Sequence, residues 1–78
     1  MLNFDADDGH VRLRMVERNI SEADAEWVVA GGEYEIQSIG RRKYIRRRCR
    51  DRYFVITEAN GTDVVTLWMR GPADTGVR

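Results

Sequence analysis

The chain has 78 residues, 42% of them hydrophobic and 33% charged, with thirteen basic and thirteen acidic side chains and a formal net charge of zero. That length allows one domain, residues 1–78, with a small core. The composition excludes a disordered tail, no apolar run approaches the roughly 18 residues that cross a bilayer, and one cysteine excludes an internal disulfide. The acidic start MLNFDADDGH has no basic, apolar leader. A lone thiol suits a reducing compartment. The expectation is a cytoplasmic chain with no membrane partner and no cofactor.

In chain order, LNF (2–4) is a candidate short strand. GHVRLRMVERN (9–19) predicts a first helix with Asp8 as N-cap and with Val11 and Met15 on one face. Asn19 and Ile20 form the break. Ser21-Glu22-Ala23-Asp24 then reads as a capping box. Ile20, Ala23, Trp27 and Ala30 share the face that the second helix should bury, and Gly31-Gly32 should end it in a left-handed exit. From Tyr34 the period becomes two: YEIQSI (34–39), KYIRRRCR (43–50), RYFVITE (52–58) and DVVTLWM (63–69) read as strands. Gly40-Arg41-Arg42 and Arg50-Asp51 are the first two turns, and Asn60-Gly61 is the strongest hairpin signal. The fold class is therefore α+β: two helices on one face of a four-stranded antiparallel meander. The ordered core should span about 9–70, followed by a loose tail at 71–78.

Charge is unevenly placed. Residues 1–40 sum to −6, residues 41–52 to +7 and residues 53–78 to −1. Alternation along the second strand separates Tyr44, Arg46, Arg48 and Arg50 from Ile45, Arg47 and Cys49. Ile45 and Cys49 are the apolar members, which assigns their set to the helices and leaves Tyr44 with an arginine ladder on the open face. Arginine forks suit phosphate and a tyrosine ring can stack on a base. The bland reading is a solvated strand face that also guards against edge pairing. Basic side chains at 46, 47, 48, 50 and 52 repel one another, which tilts the balance toward an anionic partner.

The first helix carries a sharper motif, His10-x-x-x-Arg14-Met15-x-Glu17-Arg18-x-Ile20-Ser21. It resembles the opening helix of a bacterial family of small domains of unknown function, in which a His-Ala pair precedes Arg-Met, Glu-Arg and Ile-Ser. EADAEWVVAGGE (22–33) is similar to that family's second helix, and the likeness runs from His10 to Met69. Here Val11 replaces the alanine, Asp8-Gly9 replaces a Ser/Thr cap, and the first strand shrinks to LNF. The family is grouped with the RelE/ParE-like toxin superfamily, some of whose members cut messenger RNA on the ribosome while others inhibit gyrase. The resemblance implies two helices against a curved antiparallel sheet and a toxin-like RNA-binding protein.

Cleavage by 2′-hydroxyl attack needs a base, an acid and cations for the developing charge. His10 and Arg14 lie one turn apart, and Glu17 or Tyr44 would share the proton transfer, which makes these four the candidate catalytic residues of an endoribonuclease. Arg46, Arg48, Arg50 and Arg18 are the candidate phosphate contacts. Against this, His10 serves equally to start the helix, and Arg14–Glu17 is equally a local ion pair. The alternative function is a non-catalytic module that binds an acidic, antitoxin-like protein through the arginines. RNA, including ribosome-bound messenger RNA, an acidic antitoxin and a second copy of the chain are the candidate partners. One His and one Cys do not make a metal site. Cys49, Trp27 and Trp68 read as core residues.

Overall fold

A computed structural model describes residues 1–6 and 9–71. It contains α1 (His10–Arg18), α2 (Glu22–Gly31), β1 (Glu33–Ile36), β2 (Arg42–Arg48), β3 (Asp51–Thr57) and β4 (Val64–Arg70). The strands form an antiparallel meander in the order β1-β2-β3-β4, with both helices before it, as the sequence periods predict. Among the described residues no helix is long and apolar enough to cross a membrane.

Local chemistry accounts for the helix ends. Asp8 lies outside the described residues, and Gly9 takes the N-cap of α1 with φ 83°. Asn19, in the left-handed region at φ 55°, closes that helix, and the Ile20 N–H bonds back to the Met15 carbonyl at 2.9 Å. The capping box on α2 forms as expected: Ser21 Oγ accepts from the Asp24 N–H and Asp24 Oδ2 accepts from the Ser21 N–H, both at 3.0 Å. The buried stripe of α2 is Ala25 and Val28, while Ala23 and Ala30 are exposed and Trp27 is half-buried. The glycine exit of α2 is not left-handed, because Gly32 is extended at φ −83°. Space requires glycine there instead: a Cβ on Gly32 would stand 2.5 Å from the Val28 carbonyl oxygen and 2.7 Å from that of Ile45.

Leu2, Phe4, Val11, Met15, Ile20, Ala25, Val28, Tyr44, Val55, Val64 and Leu67 make one core between helices and sheet. LNF contributes Leu2 and Phe4 to it, and Asn3 forms a single parallel bridge with Asp63 rather than a full strand. In the loop before β4 the Asn60 side chain accepts from the Thr62 and Asp63 N–H groups, and Gly61 supplies the positive φ of 76°. The second hairpin turns at Cys49-Arg50, not Arg50-Asp51, since Arg48 pairs with Asp51. Cys49 is therefore exposed in the turn with φ 57° and is not a core residue. Of the expected tail at 71–78, residues 72–78 lie outside the described residues.

Candidate nucleic-acid interface

Two facts set which side chains of the sheet face outward. Tyr44 is buried in the core, and it pairs with Val55, which pairs with Leu67. Alternation then places Tyr44, Arg46 and Arg48 under the helices and Lys43, Ile45 and Arg47 on the open face. The expected facing of β2 is thus inverted. An aromatic ring on one side and an isoleucine on the other make KYIRRR ambiguous, and the larger ring goes to the core.

Under the helices the arginines have structural partners. Arg46 Nη1 donates to the Trp27 carbonyl of α2 at 2.6 Å, and its guanidinium lies 4.1 Å from the Trp27 ring centroid. Arg48 bonds Asp24 at 3.1 Å and lies 4.3 Å from the same ring and 5.1 Å from Tyr53. The capping hydrogen bond from the Ser21 backbone outweighs burial, which pushes the other way, and with lesser help from the Ser21 side chain and Arg48 it holds the Asp24 carboxyl below its ordinary value. Arg42 donates to the Tyr44 hydroxyl at 3.4 Å. Arg18 Nη1 donates to the Leu67 carbonyl at 3.1 Å. Arg50 alone of the four expected phosphate contacts stands exposed in the turn without an ion pair among the described residues.

The sequence reading assigned the open face the wrong set of side chains, and the ones it does carry include a row of arginines. Arg47, Arg52 and Arg70 stand directly opposite one another across β2, β3 and β4. None of the three has an ion pair among the described residues. Like charges directly across strands destabilise a sheet. The adjoining row is Ile45, Phe54 and Trp68, whose last two rings stack 4.8 Å apart at 8°. Lys43 Nζ lies 5.5 Å from the Phe54 ring and 6.0 Å from the Trp68 ring, and Arg52 lies 6.0 Å from Phe54. Trp68 is therefore a residue of the open face and not of the core, and its buried indole N–H has no hydrogen-bond partner among the described residues. The signal that could have found this row was the pairing of two-residue turns with alternation: once Cys49-Arg50 is the turn, Arg47 and Arg52 must share a face.

His10 and Arg14 are brought together: with Val65 and Thr66 they line a shallow depression where α1 meets β4. Glu17 is exposed farther along α1. Tyr44 is only 5% exposed, on β2 and beneath the helices, so it does not join them. Among the described residues no group of three His, Cys, Asp or Glu side chains is placed to hold a metal ion. No family model matches the chain, and no curated protein and no solved structure is significantly similar to it.

Proposed function

We propose that this chain is a toxin-like RNA-binding protein of the RelE/ParE-like kind that its helix motif resembles, with the open face of the sheet as the RNA-contacting surface. The observation that carries the reading is the row Arg47–Arg52–Arg70, three opposed guanidiniums without an ion pair among the described residues, next to the Phe54–Trp68 pair. An anion between them turns that repulsion into attraction, and each fork donates two hydrogen bonds to a phosphate. Arg50 stands exposed in the turn that joins β2 to β3. Phe54 is buried, so the half-buried Trp68 ring backed by it is the apolar surface offered to an unpaired base once Lys43 swings to a phosphate, and stacking of this kind tolerates any base. A single-stranded segment is the ligand form this suits, because bases locked in a duplex cannot reach a flat face.

The endoribonuclease step belongs to the same proposal at its β4 border. Thr66 shares the open face with Trp68 and Arg70, and the depression it lines also holds His10 and Arg14. A strand crossing β4 would pass a base and a cation one helical turn apart. The compartment in which this would happen is the cytoplasm, where RNA and a reduced Cys49 coexist.

The test is fluorescence anisotropy with a labelled 12-nucleotide single-stranded RNA. Replacing Arg47, Arg52 and Arg70 by glutamine should abolish most of the affinity and flatten the salt dependence by about two in log–log slope. Unchanged affinity in that variant would overturn the RNA reading of this face. An acidic peptide that binds the wild type while RNA does not would transfer the face to the alternative, a protein partner.

A further inference from the structure

The two outer edges of the sheet are treated differently. Along β4, Arg18 occupies the Leu67 carbonyl. Asn3 closes the start of the same edge, its N–H donating to the Thr62 carbonyl at 2.8 Å and its carbonyl accepting from the Val64 N–H at 3.0 Å. The edge of β1 has no such cover among the described residues. The Gln37 N–H donates to the Arg41 carbonyl at 2.7 Å, and the register continues through Glu35↔Lys43 and Glu33↔Ile45. Hydrogen-bonded and non-bonded pairs alternate in an antiparallel ladder. Glu33 and Glu35 therefore bond β2 with their backbone, and Tyr34 and Ile36 aim theirs outward.

The same two residues expose 53% and 63% of their surface. Nothing in Glu33–Ile36 blunts the edge: it contains no proline, no lysine and no bulge. The Tyr34 ring is steadied by Tyr44 at 5.2 Å and by Arg42 at 5.4 Å. On the other face Glu33 and Glu35 are exposed carboxylates without an ion pair among the described residues. Lys43 stands across from Glu35, but its ammonium lies over Phe54 and Trp68.

We propose that the outer edge of β1 is a docking site for an extended segment of a protein partner in which basic residues alternate with apolar ones. Such a segment adds a fifth strand: its backbone bonds Tyr34 and Ile36, its basic side chains meet Glu33 and Glu35, and its apolar side chains cover Tyr34 and Ile36. A second copy of β1 fits less well. The two-fold register in which Tyr34 exchanges hydrogen bonds with Ile36 of the other copy sets Glu35 directly against Glu35. The neighbouring register, centred on Tyr34, sets Glu33 against Glu35.

The probe is an acetylated, amidated nonapeptide of alternating lysine and valine, titrated into the ¹⁵N-labelled full chain beside a glutamate–valine control. The lysine peptide should bind about tenfold more tightly than the control. It should slow amide exchange at Tyr34 and Ile36 while leaving Glu33 and Glu35, already bonded to β2, little changed. Glu33→Lys with Glu35→Lys should reverse the peptide preference. Ile36→Pro removes an outward donor and no β1–β2 bond, so it should fold and lose binding. Equal binding of the two peptides would overturn the proposal, as would protection that maps to another surface. Protection of Tyr34 and Ile36 that grows with protein concentration, without peptide, would also overturn it, by placing a second copy on the edge.

Discussion

Neighbouring arginines on β2 have opposite fates. Arg46 and Arg48 reach under α2, where a carbonyl, a carboxylate and the Trp27 ring satisfy them. Arg47, one residue from each, points the other way into a row with Arg52 and Arg70 that makes no ion pair among the described residues. A run of basic residues is thus two populations: one spends its charge holding helix to sheet, the other has charge left for a ligand. Composition cannot separate them, because the period of a strand sends alternate side chains to opposite faces.

The comparison breaks most sharply under paired substitutions. Replacing Arg47, Arg52 and Arg70 by glutamine should weaken single-stranded RNA binding by about 30- to 100-fold near 0.1 M salt while preserving the fold. Arg46→Ala should do the reverse: a stability loss of about 2 kcal/mol, from one charged hydrogen bond and one cation–π contact, with RNA affinity changed less than about threefold. Urea unfolding and anisotropy on the same preparations read both.

Asp24 sharpens the helix side. Its folded carboxyl sits below the ordinary 3.8, so its contribution is present above that value and is lost as pH falls through the lowered folded value. Asp24→Asn should cost about 1 kcal/mol at pH 7. The gap to the wild type should close in acid below pH 3.8, as chemical unfolding across pH would show. The turn joining the two populations gives a smaller effect: Cys49 holds φ 57° at the first position of a two-residue hairpin loop. Cys49→Gly should stabilise by about 0.5–1 kcal/mol. Smallest, Arg47→Thr should relieve the like-charge row and raise stability by about 0.3 kcal/mol while lowering RNA affinity, a trade that melting and binding curves would register together.

Much of this fold is legible locally. The Ser21–Asp24 box, the Asn19 break, the Asn60-Gly61 turn and the change of period at Tyr34 each depend on residues within a few positions, and each stands as read. The facing of β2 was not legible, because Tyr44 and Ile45 are both apolar and only the packing of Tyr44 with Val55 and Leu67 decides between them. Everything that followed from facing moved with it: Arg46 and Arg48 went inward, Trp68 went outward, and Arg47, Arg52 and Arg70 became the candidate site. The pairing of His10 with Arg14 was legible as helix spacing, whereas the separation of Tyr44 from them needed the sheet.

The most direct test of the central claim follows side-chain N–H signals of the ¹⁵N-labelled chain while single-stranded RNA is added. The arginine Nε–H resonances of Arg47, Arg52 and Arg70 and the Trp68 indole N–H should shift, while those of Arg46 and Arg48 stay in place. Shifts confined to Arg46 and Arg48, or none at Arg47, Arg52, Arg70 and Trp68, would contradict the assignment of the open face as the RNA-binding surface.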